Sequence, residues 1–247
     1  MPKKVTINKD AYGLEVWDYY KGKKSYEIVE RDDGYFDVSG GAKDYFAEYK
    51  DWPMHQKKAL RYVKGKVLDV GCGAGRVALW LQKKGFDVTG IDNSPLAIKV
   101  CKLRGVKKAL LMSIDEIGKF KPNSFDTIVM MGNNFGLFGS FKKAKLLLKK
   151  MYRITSPNAL IIAESIDPYK TDNPHHLLYH KLNKKRGRMC GQIRIRIIYQ
   201  KCKSDWFDYL FVSKSEMIKI LEGTGWKLKS IVKTKPSPYV AIIEKIS

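Results

Sequence analysis

The chain has 247 residues, 44% of them hydrophobic, and a formal net charge of +22. This length supports one sizeable core with an accessory segment. Four scattered cysteines without a Cys-x-x-Cys pair exclude a disulfide scaffold, and no signal-peptide apolar region or bilayer-length apolar run occurs, so we predict a soluble, cytoplasmic protein without membrane contact.

The charge is unevenly distributed. Residues 1–52 carry 9 basic and 11 acidic side chains, whereas residues 53–247 carry 38 and 14. The basic excess therefore belongs to the body of the protein. Such a surface attracts polyanions such as RNA, or it is a lysine-rich face that keeps the protein in solution.

The first 65 residues are rich in aromatic side chains with acids between them and show no clear strand pattern. We expect helices and loops here, forming an N-terminal helical cap (1–65) packed on the core. The cap suits closure over an aromatic or cationic small molecule.

From Lys66 onward, short apolar runs alternate with segments of helical periodicity, which predicts βαβ units and a parallel sheet. Helices are predicted over 75–85, 94–105 and 140–154, the last ending in a turn at 156–158. The predicted strands are residues 66–70, 86–91, 108–113, 125–131 and 159–165.

The C-terminal part has a different pattern. Residues 190–212 predict an antiparallel hairpin, within a basic insert spanning about 168–212 and placed before the last helix. Arg194 and Arg196 fall on one face of its first strand and isoleucines on the other. The basic face is predicted either to follow an RNA backbone or to be exposed to solvent. Ser213 and Glu216 predict a capping box for the last helix, and two closing strands follow.

A glycine-rich turn, Asp69-x-Gly71-x-Gly73-x-Gly75, follows the first of these strands. Arg76 occupies the sixth position, where a dinucleotide fingerprint has Gly or Ala, and no Gly-Lys-Ser/Thr of a P-loop is present. A carboxylate at Asp69 repels phosphate and suits a cationic ligand. Asp92, at the end of the next strand, suits a ribose diol. The turn therefore predicts an adenosine ligand with a cationic substituent.

The stretch VLDVGCGAGR followed by VTGIDNSPLAI resembles the class I S-adenosylmethionine-dependent methyltransferases, over about residues 60–165. The resemblance implies an α/β, Rossmann-like fold. This fold has a seven-stranded, mostly parallel sheet with an antiparallel last strand and helices on both faces. Residues 66–247 then form the methyltransferase core. S-adenosyl-L-methionine is the implied cofactor and S-adenosyl-L-homocysteine its product.

The same resemblance implies roles for individual residues around the cofactor. Asp69 lies near the methionine amino group and Asp92 binds the ribose hydroxyls. Ser113 and the backbone of Ile114 face the adenine edge, although Asp115 is an alternative there. The remaining implied contacts are Gly71, Gly73 and Gly75 under the ribose and methionine, Asn93 beside the adenine, and Gly132 and Asn133 near the sulfonium.

These motifs do not identify the molecule that accepts the methyl group. We expect methyl transfer to a small molecule by in-line displacement. A tRNA or rRNA methyltransferase is the alternative enzyme, although the loop after the fourth strand lacks Asp/Asn-Pro-Pro-Tyr/Phe. A cofactor-binding scaffold protein is the alternative without activity. The sequence leaves the oligomeric state open.

Side chains for catalysis are only weakly indicated. Asn133 or Asn134 either orients the nucleophile or serves the turn. The histidines His175, His176 and His180, and several tyrosines, are candidate bases. His176 and His180 share a helical face but lack a His-Glu-x-x-His pattern, so no metal is predicted.

Overall fold

The computed structural model describes residues 5–246. Residues 1–4 and 247, the ends of the predicted cap and core, lie outside the described residues. The helices are α1 (Ala11–Tyr20), α2 (Lys43–Phe46), α3 (Met54–Ala59), α4 (Arg76–Lys83), α5 (Pro95–Leu103), α6 (Phe141–Ile154), α7 (Pro174–Lys185) and α8 (Lys214–Leu221). The strands are β1 (Ile28–Arg31), β2 (Phe36–Val38), β3 (Val67–Val70), β4 (Val88–Asp92), β5 (Lys108–Leu111), β6 (Phe125–Met130), β7 (Thr155–Ser165), β8 (Gln192–Tyr199), β9 (Cys202–Lys203), β10 (Phe207–Leu210), β11 (Trp226–Val232) and β12 (Tyr239–Lys245). Short 3-10 helices cover Ile7–Lys9, Tyr49–Asp51, Leu60–Tyr62, Ile114–Lys119 and Asn134–Phe138.

The larger sheet has seven strands in the order β11-β12-β7-β6-β3-β4-β5. Five adjacent strands run parallel to one another: β7, β6, β3, β4 and β5. Strand β12 runs antiparallel to both β7 and β11. The predicted fold class is therefore confirmed. The parallel strands end at one edge, where open α/β sheets bind ligands.

Helices cover both faces of this sheet because its central strands are apolar on both sides. In β7, Ile161 and Ala163 join one buried cluster, while Leu160 and Ile162 join the cluster on the opposite face. No helix within residues 5–246 is long and apolar enough to cross a bilayer.

The predicted helices begin where their capping residues indicate. Ser94 accepts a hydrogen bond from the Ala97 N–H at 3.0 Å, with Pro95 in the first turn of α5. Ser213 and Glu216 form the predicted capping box of α8. The turn predicted at residues 156–158 is wrong: these residues lie within β7, where the pairing with β6 shifts register.

A second, antiparallel sheet combines two distant parts of the chain in the order β10-β8-β1-β2, with β9 paired to β8. The predicted insert hairpin is present in β8 and β10. The prediction of only helices and loops for residues 1–65 is wrong, because β1 and β2 form a hairpin around Asp33 and Gly34. These strands are short, and β1 is completed by pairing with β8 of the insert. The local pattern therefore gave only a weak strand signal. We call this sheet the lid sheet.

The N-terminal segment and the lid sheet lie against the ligand-binding edge of the larger sheet. The Asp10 carboxylate, which begins α1, accepts hydrogen bonds from the Ser94 hydroxyl (2.9 Å) and the Leu96 N–H (3.1 Å). On the other side, Tyr209 of β10 packs against the backbone of Gly136. A cavity lies between the two sheets.

Candidate active site

The glycine turn lies between the end of β3 and the start of α4. Gly71, Gly73 and Gly75 have φ values of +72°, +52° and +83°, in the left-handed region that favours glycine. A Cβ atom on Gly73 would lie 2.4 Å from the Tyr12 hydroxyl oxygen. Glycine therefore allows Tyr12 of the N-terminal segment to approach the turn closely.

The three glycines do not share one environment. Gly71 and Gly73 line the cavity. Gly75 occupies the N-cap of α4, and a Cβ there would meet Val106 at 2.7 Å and Cys101 at 2.9 Å. The backbone of Gly75 is thus shaped by packing against the α5 region.

Asp69 lies on β3, 2% exposed, and it lines the cavity. Among the described residues no donor reaches its buried Oδ2 atom. Burial raises the pKa of this carboxyl to about 7, and the charge of Arg76 opposes the shift. A buried carboxylate with an unused oxygen is suited to binding an ammonium group.

Asp92, at the end of β4, is held in place by the backbone. Its two oxygens accept hydrogen bonds from the N–H groups of Gly73 and Ser94, both at 2.9 Å. Burial raises its pKa to about 6. Each carboxylate oxygen has a further lone pair, so Asp92 can also accept hydrogen bonds from a diol in the cavity.

The segment after β5 forms another wall of the cavity, with Ser113, Ile114 and Asp115. The Ser113 hydroxyl accepts from the Asp115 N–H at 3.2 Å in a capping box, and its own O–H remains able to donate. Asp115 forms an ion pair with Lys143 at 2.8 Å. Asn93, after β4, also lines the cavity.

The loop after β6 is held by a buried carboxylate that sequence reasoning missed. Glu164, 2% exposed at the end of β7, accepts hydrogen bonds from the N–H groups of Gly132 (2.6 Å) and Asn133 (3.3 Å). His55 and Gln56 of α3 also contact it, at 2.7 and 2.8 Å. Burial acts to raise the pKa of Glu164, but these hydrogen bonds outweigh it and the pKa lies below its usual value. The sequence feature that could have indicated this role is the position of Glu164 near the end of the predicted strand 159–165.

The two asparagines of this loop differ in their surroundings. The Asn134 amide nitrogen donates to the carbonyl oxygens of Val70 (3.0 Å) and Gly71 (2.9 Å), so this side chain supports the glycine turn. Asn133 has a φ of +64°, and its buried Oδ1 atom finds no donor among the described residues. Both residues line the cavity.

Of the three histidines of α7, His176 and His180 line the cavity. Burial lowers the pKa of both, with Arg31 adding to the effect, so both rings are neutral near pH 7. His175 instead packs its ring 5.5 Å from that of Tyr35. Within residues 5–246, no cluster of three or more potential metal ligands is present.

The lid sheet presents its isoleucines to the cavity. Ile193, Ile195 and Ile197 of β8 line it. The arginines between them are paired with acids of neighbouring strands: Arg194 with Asp208 at 3.4 Å and Arg196 with Glu30 at 2.5 Å. Part of the basic face predicted from the sequence is therefore neutralised within the sheet.

The cavity between the sheets measures about 1280 Å³. A pocket for one small molecule typically has about 300–1,000 Å³. The space next to the glycine turn can thus hold a nucleoside-sized ligand, with further room beneath the isoleucines for a second molecule.

Comparison with known proteins identifies related sequences over the glycine-turn region. A family model described as a methyltransferase domain matches residues 68–163. The putative methyltransferase YqeM of Bacillus subtilis is 27% identical over 128 residues, covering 50% of this chain and 51% of YqeM. A ubiquinone biosynthesis O-methyltransferase of Xylella fastidiosa is 30% identical over 124 residues, covering 46% of this chain and 50% of that protein. The chain spans about half the length of the curated relatives it matches.

One solved structure is similar along almost the whole chain. It is an S-adenosylmethionine-dependent methyltransferase from Bacteroides fragilis in complex with S-adenosyl-L-homocysteine. It has a TM-score of 0.84 and 28% identity, covering 99% of this chain and 98% of that one. A methyltransferase from Methanosarcina mazei, at 18% identity and TM-score 0.61, shares the fold. The glycine turn, the two acids at adjoining strand ends and these similarities agree: residues 68–163 match the methyltransferase-domain family, and the chain shares its fold with S-adenosylmethionine-dependent methyltransferases.

Proposed function

We propose that the protein binds S-adenosyl-L-methionine in the cavity beside the glycine turn and transfers its methyl group to a small molecule. The unused Oδ2 of Asp69 carries the cofactor assignment, because it is a buried acceptor in need of a donor. The Bacteroides fragilis structure, similar over its full length and bound to S-adenosyl-L-homocysteine, supports it.

The chain offers a group for each part of this cofactor. Asp69 would bind the amino group and Asp92 the ribose hydroxyls. Ser113 and the backbone of Ile114, bordered by Asn93, would face the adenine. Gly71 and Gly73 would lie beneath the ribose and methionine, and Gly132 and Asn133 would lie near the sulfur. Gly75, which was expected to lie there too, is not part of the cavity lining and instead shapes the turn.

When bound, the cofactor supplies a methyl group: the acceptor lone pair forms the new bond to carbon, and the carbon–sulfur electron pair stays on sulfur, which leaves as a neutral thioether. The protein's task is to align the acceptor and exclude water. The isoleucines of β8 and the aromatic residues of β10 cover the cavity on the acceptor side. The cavity continues beyond the cofactor site beneath the lid sheet, and this space suits a small acceptor better than a folded RNA.

The cofactor site is tested by calorimetry with S-adenosyl-L-homocysteine. We expect Asp92→Ala to weaken binding by about 1–3 kcal/mol, through loss of hydrogen bonds to the ribose. The control is Asp87→Ala, just before the opposite end of β4, where an exposed carboxylate pairs with Lys108. Equal affinities of the Asp92→Ala variant and the parent would contradict the proposed binding mode.

The scaffold alternative is tested by turnover. A protein that only binds the cofactor would bind S-adenosyl-L-methionine but release no S-adenosyl-L-homocysteine with any acceptor. We expect release with acceptors drawn from small metabolites, measured with a labelled methyl group.

A further inference from the structure

Three tyrosines and one glutamate line the cavity between the glycine turn and the loop after β6. We call Tyr12, Glu27, Tyr45 and Tyr209 the tyrosine cage. The ring of Tyr12 meets that of Tyr45 edge-on, with 5.2 Å between centroids. The Tyr209 hydroxyl donates to the Asn133 carbonyl oxygen at 2.7 Å. The cage therefore adjoins both backbone segments proposed to hold the methionine part of the cofactor.

Glu27 gives the cage a buried carboxyl group. It is 3% exposed and accepts a hydrogen bond from the Tyr45 hydroxyl at 3.0 Å. Glu15, fully buried, lies beside it and accepts from the Ala42 N–H at 2.9 Å. Burial and the charge of Glu27 raise the pKa of Glu15 to about 8. Near neutral pH, Glu15 thus keeps its proton. Burial raises the pKa of Glu27 as well, and hydrogen bonds from Tyr45 and Glu15 oppose that shift.

The two carboxyl groups of Glu15 and Glu27 have no cationic partner among the described residues. Over residues 5–246 neither Glu15 nor Glu27 forms an ion pair with Lys, Arg or His, and both Oε2 atoms are buried without another donor. A buried charge without a cation is costly, and the cost falls when a ligand supplies the cation. A cation that lies over the face of one of these tyrosine rings gains further cation–π attraction.

The cavity lining as a whole contains more acids than bases. Among the described lining residues nine are Asp or Glu and five are Lys or Arg. Three of these acids and three of these bases are already engaged in ion pairs: Asp115, Asp205 and Asp208, and Lys9, Arg31 and Lys143. The interior is thus acidic in a protein whose net charge is +22. It disfavours anionic acceptors and attracts cationic ones.

We propose that the methyl acceptor is an amine, which enters as an ammonium ion and binds to Glu27 within the rings of Tyr12, Tyr45 and Tyr209. This inference rests on the proposed methyltransferase function and names its substrate class. Glu27 then takes one proton: an N–H bond breaks, its electron pair stays on nitrogen as the lone pair that accepts the methyl group, and an O–H bond forms at the carboxylate. The product leaves as a methylated ammonium ion, and Glu27 returns its proton to water.

The test measures binding of 2-phenylethylamine and of 2-phenylethanol, a neutral molecule of similar size, by calorimetry on the full chain. S-adenosyl-L-homocysteine is present at saturation, so that the cofactor site is filled. We expect the ammonium ion to bind at least tenfold more tightly than the alcohol. We also expect labelled methyl transfer from S-adenosyl-L-methionine to the amine and not to the alcohol.

Glu27→Gln should reduce the preference for the ammonium ion to less than threefold while S-adenosyl-L-homocysteine binding is retained. The matched control is Glu48→Gln, an exposed glutamate paired with Lys50 outside the cavity, which should keep the full preference. If Glu27→Gln does not fold, the comparison of amine and alcohol binding by the unaltered chain tests the amine assignment by itself.

The outcomes separate the two proposals. Binding of S-adenosyl-L-homocysteine together with equal binding of amine and alcohol would overturn the amine assignment and leave the methyltransferase function in place. An unchanged preference in Glu27→Gln would overturn the role of Glu27. No binding of S-adenosyl-L-homocysteine would overturn the proposed function itself, and the amine assignment with it.

Discussion

At the scale of single residues, the site depends on carboxylates whose surroundings differ. Asp69 is buried with an unused oxygen, Asp92 is held by two backbone N–H groups, and Glu164 holds a loop through two others. Burial raises the pKa of Asp69 and Asp92, whereas the donors around Glu164 lower its pKa. A carboxyl group thus faces the cavity in one place and supports the backbone in another.

The raised pKa of Asp69 predicts that ligand binding depends on pH. Below about pH 7 the empty site holds a proton on Asp69, and an ammonium ligand must displace it. The affinity for S-adenosyl-L-homocysteine should therefore rise between pH 6 and pH 7.5, by up to about tenfold per pH unit below the pKa.

Calorimetry at the two pH values measures this change. The Asp69→Asn variant should bind S-adenosyl-L-homocysteine more weakly and lose most of the pH dependence between pH 6 and pH 7.5. The remaining carboxyl group, Asp92, has a pKa of about 6 and contributes mainly at lower pH. Equal affinity of the parent at both pH values would show that Asp69 does not bind the amino group.

At the scale of elements, Arg31 is one of several links between the N-terminal hairpin and the insert in the lid sheet, together with the β1–β8 pairing and the Arg196–Glu30 ion pair. Arg31, at the end of β1, lies over the rings of Tyr35 and Tyr179, 4.7 and 4.2 Å from their centroids. It also binds Asp33 through two nitrogens and donates to the His175 carbonyl oxygen at 3.1 Å. A planar guanidinium makes these contacts together, and a lysine ammonium does not.

We therefore expect Arg31→Lys to loosen the lid sheet selectively. Amide hydrogen exchange should accelerate by about tenfold or more in β1, β8 and α7, corresponding to about 1.4 kcal/mol, while β3 and β6 stay protected. Exposed Arg61→Lys is the control and should exchange like the parent. Uniform acceleration across both sheets would contradict a local role for Arg31.

At the scale of the whole molecule, a basic exterior surrounds an acidic cavity. The net charge of +22 predicts binding of RNA that depends on charge alone. We expect retention of tRNA at about 50 mM salt and its loss by about 200 mM, because such contacts weaken steeply with salt. Glu27→Gln should leave this binding unchanged, since the cavity takes no part in it.

Filter binding across a salt series measures the retention, and nucleoside analysis after incubation with labelled S-adenosyl-L-methionine detects methylated RNA. Labelled nucleosides in tRNA or rRNA would favour the RNA methyltransferase over the small-molecule enzyme. Absence of retention at low salt would show that the basic residues are dispersed rather than gathered into a binding surface.

Much of the fold was predictable because the relevant signals are local. Capping at Ser94 and Ser213, the apolar strands from β3 onward and the glycine turn each depend on neighbours within a few residues. The lid sheet was only half predictable. Its insert strands alternate clearly, but β1 and β2 are short, and β1 gains its stability from β8, far along the chain.

The sequence by itself determined the parallel core and the glycine turn between two acids at strand ends, because a strand, a glycine turn and an acid at the next strand end form a contiguous pattern. The tertiary structure alone decided that Gly75 packs against the α5 region, that Asn134 supports the glycine turn and that Glu164 holds the loop after β6. It also brought Tyr12, Glu27, Tyr45 and Tyr209 together. Those contacts join segments separated by many residues, and the burial that sets their charge exists only after the chain has folded.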